Sequence, residues 1–286
     1  MTDADSKLYC ILGNPVRHSM SPHIHNASFK EIGFNGVYVA FEVENAVASV
    51  QAIRALGIMG ASVTIPHKID VMPVLDEIDD VAEMIGAVNT IVNRDGKLFG
   101  LNTDGPGAVK ALKDAGVEPK GKKVVLIGSG GAARAVAFAL AANEKIADIT
   151  VMGVIKNEME VLVDRIKEKT GAVAWTVMLS EREDIAREAV ISADIVINAS
   201  PVGMHPKEDV TPIPVEWISP ETTVFDVVYN PLETKLIEES AKRGCRTVRG
   251  VEMFINQAVL QFECWTREKA PEELMRKIVL ENLEGK

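Results

Sequence analysis

The segment VVLIGSGGAARAVAFALA, Val124–Ala141, decides the fold. Its apolar strand runs directly into Gly128, Gly130 and Ala133, which have the G-x-G-x-x-A spacing, and an alanine-rich helix follows. Gly128 allows a tight turn, Gly130 allows the backbone to approach a pyrophosphate closely, and Ala133 allows the helix to pack on the strand. Because a strand precedes the motif and a helix follows it, the segment predicts a Rossmann-type dinucleotide-binding domain.

The end of the next predicted strand leaves the type of dinucleotide open. An acidic residue usually holds the ribose of NAD at this position, whereas an Arg or similar cation holds the extra phosphate of NADP. The stretch DITVMGVIKNEME, Asp148–Glu160, has neither at the strand end, where Met152 and Gly153 stand, and offers Lys156 a few residues on. Lys156 is either a cofactor-binding cation or an ordinary charge at the start of a helix, so both NADP and NAD stay possible.

Strands and helices alternate on both sides of this segment, which predicts an α/β protein with parallel sheets. The apolar stretches DITVMG, AVAWTVM, ADIVINAS, TTVFDVV and RTVRG come after it, with helical segments between them. Before it, a first lobe ends near Asp104 and contains the strand GASVTI, the helix DEIDDVAEMIG and a hairpin turn at Asp95-Gly96. We predict a Rossmann-type domain over residues 105–250 and an N-terminal α/β substrate domain over residues 1–104, to which the C-terminal helices of residues 251–286 return.

Composition and charge exclude several classes of partner. The chain has 286 residues, 47% hydrophobic and 25% charged, with a net charge of −10, whereas nucleic-acid binding needs clustered Lys and Arg. No apolar run reaches membrane-spanning length and the first residues lack the pattern of a secretion signal, so we expect a cytoplasmic protein with a small-molecule ligand. Cys10, Cys245 and Cys264 are spaced neither as a disulfide framework nor as a zinc site, and we predict that all three are buried thiols. The sequence does not decide between a monomer and a homodimer.

Four short polar clusters stand at the ends of strands in the first lobe or at its border: HSMSPHIHN, SVTIPHK, GAVNT and NTDG. Since the carboxyl ends of strands form the ligand crevice of an open α/β sheet, we expect these clusters to converge. Their hydroxyls, amide, ammonium and carboxylate suit a polar, hydroxylated, acidic small molecule. The side chains concerned are Ser19, Ser21, Thr64, Asn89, Lys68 and Asp104. The nearby histidines have no cysteine or second carboxylate to complete a metal site, so no metal is predicted.

The clusters and the glycine motif together resemble the signature segments of the shikimate dehydrogenase family. GNPVRHSMSPHIHN, SVTIPHK, GAVNT, NTDG, GSGGAARA, NASPVGM, VVYNPLET and GVEMFINQA occur in the family's order over essentially the whole chain. The resemblance implies a small α/β substrate domain and a Rossmann domain, which matches the division above. It also implies reduction of 3-dehydroshikimate to shikimate with NADPH, while relatives in the family act on quinate with NAD or NADP.

The resemblance further assigns roles by position. It makes Lys68 and Asp104 the catalytic pair, because an ammonium can stabilise and protonate the alkoxide that forms when hydride reaches a ketone, and a carboxylate can hold that ammonium and tune its pKa. The implied substrate-binding residues are Ser19, Ser21, Ser62, Thr64, Asn89, Tyr229 and Gln257. The implied cofactor-binding residues are Gly128, Ser129, Gly130, Gly131, Ala132, Ala133, Ala199, Ser200, Gly203, Met204, Val227 and Gly250, and Lys156 is added to them as the cation nearest the end of the second Rossmann strand.

Two positions depart from the family's pattern. Ser62 stands where the family usually has Asn before VTIP, and because Ser is shorter and has no amide, a contact to a ring hydroxyl is lost or bridged by water. GVIK, residues 153–156, replaces the usual Asn-Arg-Thr, so the preference for NADP over NAD rests on the family and on Lys156.

The sequence therefore predicts an NADP- or NAD-dependent dehydrogenase of this family acting on shikimate. A dehydrogenase of quinate or a related cyclohexane-polyol acid is the alternative. A ligand-sensing homologue without catalysis is the lesser alternative, since a fold by itself does not fix a function.

Overall fold

The chain folds into two units, each built around a six-stranded sheet, in a computed structural model that describes residues 2–284. The first unit takes the chain through Thr103 and resumes at Gln257, and the second is Asp104–Asn256. Within the described residues, no helix is both long enough and apolar enough to cross a membrane.

The first unit has a mixed sheet whose strands lie in the order β2-β1-β3-β5-β6-β4. Strands β1, β2 and β3 are parallel to one another, β5 runs antiparallel to β3, and β6 runs antiparallel to β5. The strands are β1 Lys7–Gly13, β2 Gly36–Glu42, β3 Gly60–Val63, β4 Glu77–Ile78, β5 Thr90–Arg94 and β6 Lys97–Leu101, and the helices are α1 Ser21–Glu31, α2 Ala46–Leu56 and α3 Asp80–Ile85.

One predicted helix of this unit is shorter than its sequence pattern indicated. Residues 76–86 were predicted to be a single helix, but Glu77–Ile78 pairs with β6 as a short parallel strand and only Asp80–Ile85 is helical. The Asp79 side chain caps this helix by accepting a hydrogen bond from Ala82 N at 2.7 Å. The acidic run that looked like a helix start is therefore a strand end followed by a cap.

The second unit is a parallel sheet in the order β9-β8-β7-β10-β11-β12, which is the strand order of the doubly wound dinucleotide-binding fold. Its two central strands, β7 and β10, flank the point where the winding direction reverses, so ligands of this fold bind beside their carboxyl ends. The strands are β7 Lys123–Ile127, β8 Asp148–Gly153, β9 Ala174–Met178, β10 Ile195–Asn198, β11 Thr223–Asp226 and β12 Arg246–Val248, and the helices are α4 Asp104–Asp114, α5 Gly131–Asn143, α6 Lys156–Thr170, α7 Glu183–Ile191 and α8 Lys235–Lys242.

Two further helices, α9 Gly250–Thr266 and α10 Glu272–Glu284, follow β12. Trp265 of α9 donates from its indole nitrogen to Ile91 O on β5 at 2.9 Å, and α10 packs on α1. The prediction that the C-terminal helices return to the first domain is confirmed, as is the α/β class with one Rossmann-type domain.

The second unit begins one residue before the predicted span of residues 105–250 and ends six residues after it. The first turns of α9 belong to the second unit because Phe254 stacks on Tyr229, with 4.5 Å between ring centroids, and because the Asn256 amide donates to Gly107 O at 3.4 Å.

The prediction that all three cysteines are buried is wrong for one of them. Cys10 and Cys245 are buried, but Cys264 is exposed on α9. An amphipathic helix presents one face to solvent, and Cys264 lies on that face, next to the buried Trp265.

Candidate active site

Polar segments of the first unit meet at one edge of its sheet. Thr64 follows the carboxyl end of β3, and Asn102 follows the carboxyl end of β6. Asn89 precedes β5, but because β5 is antiparallel to both neighbours its start lies at the same edge, and the register pairs Ser62 with Thr90. The segments SVTIPHK, GAVNT and NTDG therefore meet at this edge, where β3 and β6 end and β5 begins.

A continuous chain of hydrogen bonds runs beneath this edge. The Tyr38 hydroxyl donates to Ser62 Oγ at 2.7 Å, and Ser62 Oγ donates to Gln261 Oε1 at 2.8 Å. The Gln261 amide then donates to Asn89 O at 3.2 Å and to Thr90 Oγ1 at 3.0 Å. Ser62 is 5% exposed and Gln261 is 2% exposed, so the single proton of the Ser62 hydroxyl is used inside the protein.

Asn89 holds the start of the NTDG segment in place. Its side-chain oxygen accepts from Thr103 N at 2.8 Å and from Thr90 Oγ1 at 2.7 Å, and its side-chain nitrogen donates to Thr103 Oγ1 at 3.0 Å. Asn89, Thr90 and Thr103 are all buried. Because both the oxygen and the nitrogen of the Asn89 amide are hydrogen-bonded, the side chain is held in one orientation.

Lys68 lies in the turn that follows β3, and its backbone is held from two sides. Lys68 O accepts a hydrogen bond from Val88 N at 2.8 Å, and the neighbouring His67 ring donates from Nε2 to Val43 O at 2.7 Å. Lys68 itself is half-buried, between the buried His67 and the exposed Ile69. These hydrogen bonds fix the backbone from which the lysine side chain extends, while its four-carbon stem is flexible.

The two serines at the start of α1 lie at the same edge. Ser21 N donates to Ser19 Oγ at 3.3 Å, and Ser21 is 3% exposed, with its hydroxyl bonded to Tyr38. His25 of α1 is fully buried, stacked on Tyr38 at 4.6 Å between centroids, and burial lowers its pKa to about 3. His25 is thus a neutral packing residue, while Ser19 stays half-exposed at the edge.

The second unit contributes the glycine loop between β7 and α5. Gly128 has φ +117°, and a Cβ there would lie 2.7 Å from Ala199 O, so only glycine fits. Gly130 precedes the first turn of α5, and a Cβ there would meet nothing within 4 Å, which leaves an open cradle in front of the helix N-terminus. This observation fits the pyrophosphate of a dinucleotide, which backbone N–H groups at a helix N-terminus bind. Gly131, Ala132 and Ala133 form the first turn of that helix.

The loops after β10 and β11 border the glycine loop in the same unit. Asn198 at the end of β10 accepts from Ser200 N at 3.1 Å and from Ser200 Oγ at 2.7 Å, and Val227 N donates to Asn198 O at 2.8 Å. Gly250 lies against this loop, because a Cβ there would come within 2.6 Å of Val227 C. The other two predicted residues of this region are Gly203, whose φ is +100°, and Met204, which is exposed.

The remaining predicted residues lie on helices or just after a strand. Asp104 is the first residue of α4 and is 6% exposed, in the second unit, whereas Lys68 is in the first. Tyr229 follows β11, and burial raises the pKa of its hydroxyl. Gln257 lies on α9, one helical turn before Gln261.

Sequence reasoning missed three residues that the structure connects to these sites. Tyr38 and Gln261 belong to the hydrogen-bond chain around Ser62, and their contacts to it span 24 and 199 residues of sequence. Glu158, in the first turn of α6, accepts a hydrogen bond from Ser129 Oγ of the glycine loop at 2.8 Å. Glu158 is an acidic residue five positions beyond the end of β8, whereas the acid that holds the ribose of NAD usually stands at the strand end itself.

Three family models match separate parts of the chain. Residues 11–91 match the shikimate dehydrogenase substrate binding domain, residues 250–280 match the shikimate 5'-dehydrogenase C-terminal domain, and residues 124–207 match the saccharopine dehydrogenase NADP binding domain.

Full-length relatives and solved structures agree with these matches. A protein of Methanopyrus kandleri named shikimate dehydrogenase (NADP(+)) is 45% identical over 285 residues, covering 98% of this chain and 97% of the relative. A crystal structure of a shikimate dehydrogenase in complex with NADP+ has a TM-score of 0.91 at 41% identity, covering 99% of this chain and 98% of that chain. The structure of shikimate 5-dehydrogenase from Listeria monocytogenes in complex with shikimate and NAD has a TM-score of 0.90 at 35% identity, covering 97% of this chain and 98% of that chain. With such identity along nearly its whole length, the chain belongs to the shikimate dehydrogenase family.

Proposed function

We propose that this chain interconverts 3-dehydroshikimate and shikimate by hydride transfer, with NADP as the hydride carrier. The observation that carries the proposal is the full-length similarity to the Methanopyrus kandleri protein, whose name states that activity and that cofactor. The polar edge of the first unit and the glycine loop of the second supply the two kinds of binding group that such a reaction needs.

The polar edge suits a ring acid with several hydroxyl groups. We assign Ser19, Ser21 and Tyr229 to the substrate carboxylate, since hydroxyl groups donate hydrogen bonds to a carboxylate. Thr64, Asn89 and Gln257 are assigned to ring hydroxyls, because the amides and the threonine hydroxyl can both donate and accept. The fixed orientation of Asn89 between Thr90 and Thr103 supports this assignment.

Lys68 is proposed as the proton donor of the reduction and Asp104 as its catalytic partner. When bound, the reduced nicotinamide supplies a hydride to the carbonyl carbon. The negative charge that develops on the carbonyl oxygen is stabilised by the Lys68 ammonium, which then passes a proton to that oxygen. In the reverse direction the neutral Lys68 amine takes up the same proton. The Asp104 carboxylate is assigned to hold the Lys68 ammonium in position.

The catalytic role of Lys68 is tested by Lys68→Ala. We expect turnover of shikimate to fall by two orders of magnitude or more, because general acid–base catalysis contributes about that much, while the Kd for shikimate changes far less, since the lost interaction acts mainly in the transition state. Turnover is followed by the absorbance of reduced nicotinamide, and binding by calorimetry. Lys97→Ala, which removes an exposed lysine of the same unit, is the control and should leave both quantities unchanged. Full turnover by Lys68→Ala would contradict the assigned role.

The substrate assignment is tested by comparing shikimate and quinate, each with NADP+ and with NAD+. We expect the highest kcat/KM with shikimate and NADP+. Faster turnover of quinate than of shikimate would overturn the assignment of substrate, and absence of turnover in all four combinations by folded protein would favour a ligand-sensing role.

We further propose that the protein works in the cytoplasm as a monomer or homodimer. All three cysteines carry free thiols, which supports a reducing compartment. Cell fractionation tests the compartment, and sedimentation equilibrium measures the oligomeric state.

A further inference from the structure

The end of β8 and the two residues that follow it have no charged or polar side chain. Gly153 ends the strand, and the next two residues, Val154 and Ile155, are 71% and 52% exposed. Apolar side chains at this place can contact an adenine ring, but they cannot neutralise a phosphate.

A carboxylate stands beside the glycine loop instead. Glu158 Oε2 accepts a hydrogen bond from Ser129 Oγ at 2.8 Å, which joins the first turn of α6 to the turn between Gly128 and Gly130. In the doubly wound fold, the adenosine ribose lies between the glycine loop and the end of the second strand, where an acid accepts hydrogen bonds from the ribose hydroxyls of NAD. NADP carries a phosphate on that ribose, and a carboxylate repels it.

We propose that Glu158 determines the balance between the two cofactors: its carboxylate accepts a hydrogen bond from the adenosine ribose hydroxyls of NAD and opposes the 2'-phosphate of NADP. Glu158 therefore keeps NAD usable in a family whose relatives are named for NADP(+). The inference rests on the proposed function only in requiring that the second unit binds a nicotinamide dinucleotide.

The cations around Glu158 support the direction of this effect. Arg134, on the first turns of α5, is half-buried; burial lowers the pKa of its guanidinium, the Glu158 carboxylate acts to raise it, and Arg165 acts to lower it. The negative charge of Glu158 thus offsets part of the positive charge of Arg134 and Arg165 near the glycine loop. Lys156, the cation expected from the sequence, is exposed and stands 3.9 Å from Glu160, one turn along the same helix. Removing the charge of Glu158 leaves the positive charge of Arg134, on the first turns of α5, without this offset.

The test compares two nucleotides that differ only in the phosphate. ADP-ribose and 2'-phospho-ADP-ribose are titrated into the full-length protein by calorimetry, for the wild type and for Glu158→Gln. We expect Glu158→Gln to shift the ratio of the two dissociation constants toward the phosphorylated nucleotide by about tenfold or more, which corresponds to about 1.4 kcal/mol. The ratio of kcat/KM for NADP+ and NAD+ with shikimate should move in the same direction.

Glu160→Gln is the matched control, because it removes an equal charge from the same helix without touching Ser129. It should shift the ratio by less than threefold. Ser129→Ala keeps the charge of Glu158 but removes the hydrogen bond that positions its carboxylate at the glycine loop, so it should give a shift in the same direction that is smaller than that of Glu158→Gln.

The proposal is overturned if Glu158→Gln leaves the ratio unchanged, if Glu160→Gln changes it equally, or if the wild type binds neither nucleotide. Absence of shikimate turnover with a normal shift in the nucleotide ratio would instead overturn the proposed substrate and leave the role of Glu158 supported.

Discussion

Ser62 departs from the family's pattern, and its side chain bonds to other residues of the protein. The sequence predicted a weakened contact to the substrate at this position. In the structure the Ser62 hydroxyl accepts from Tyr38 and donates to Gln261, and the residue is buried. The serine is therefore part of the scaffold that holds Asn89, through the Gln261 amide.

Replacement of this serine by alanine should lower stability more than it affects substrate binding. Ser62→Ala removes the acceptor of the Tyr38 hydroxyl proton and leaves Gln261 Oε1 without its donor; Ser21 remains as a partner of Tyr38, but an unsatisfied buried polar group such as Gln261 Oε1 costs about 1–3 kcal/mol. We expect the free energy of unfolding, measured with urea, to fall by that amount while KM for shikimate changes little. Ser28→Ala is a control in the same unit, because the Ser28 hydroxyl donates to Ile24 O within its own helix. A direct substrate ligand would give the opposite pattern, a raised KM with unchanged stability.

The sequence predicted that Ser62 lies in a strand at this edge of the sheet, but it did not predict which residues contact Ser62. Thr64, Asn89 and Lys68 could be placed at one sheet edge because strand ends are visible as the point where an apolar run stops. Tyr38 and Gln261 lie in a strand and a helix whose side-chain directions depend on how α9 crosses the sheet, and no local pattern encodes that crossing.

At the scale of elements, the contact between α9 and β3 fixes the C-terminal helix on the first sheet. Gly60 begins β3, and a Cβ there would overlap the Trp265 indole ring, while the indole nitrogen bonds to Ile91 O of β5. A glycine at this strand position therefore allows close packing of a large aromatic side chain rather than an unusual backbone conformation.

Gly60→Ala should destabilise the first unit by overpacking, with a loss of about 1–3 kcal/mol in the free energy of unfolding. The cause is tested with a double-mutant cycle, since Trp265→Leu removes the ring that the new methyl group meets. We expect Gly60→Ala to cost clearly less in the Trp265→Leu background than in the wild type. Additive effects of the two substitutions would show that the loss comes from the strand backbone instead.

Most elements were predictable from their periodicity and caps, and the exceptions have a common cause. The Rossmann strands are continuous apolar runs, and α2 has an Asn45 cap and ends at Gly57, whose φ is +64°. Strand β4 has two residues, too few for any pattern, and forms because Glu77 and Ile78 pair with β6. Short elements of this kind depend on their neighbours for stability.

At the scale of the whole molecule, the pH dependence of stability reflects which of the 41 acidic residues change their pKa on folding. Asp226, at the end of β11, is fully buried, and burial raises the pKa of its carboxyl group from 3.8 to about 6. Its oxygens accept hydrogen bonds from Thr234 Oγ1, Asn198 Nδ2 and Val228 N, which oppose the shift only in part. Folding therefore favours the protonated form of this group.

The sign of the Asp226 effect follows from this shift. A carboxyl group whose pKa is raised by folding contributes stability that is present below about pH 4 and is lost as the pH rises through about 6. Asp226→Asn carries no titrating group, keeps an acceptor for Asn198 and Val228, and can donate its amide to the Thr234 hydroxyl.

The free energy of unfolding of Asp226→Asn, minus that of the wild type, should therefore rise by about 2 kcal/mol between about pH 4 and pH 7. Denaturation with urea across this range measures the difference. Asp194→Asn is the control of opposite sign: burial acts to raise the pKa of Asp194, but hydrogen bonds from Lys123 N and Lys122 outweigh it and lower the pKa. The free-energy difference for Asp194→Asn should therefore fall as the pH rises. A flat difference for Asp226→Asn would mean that the Asp226 carboxyl group titrates in the folded protein as it does in the unfolded chain.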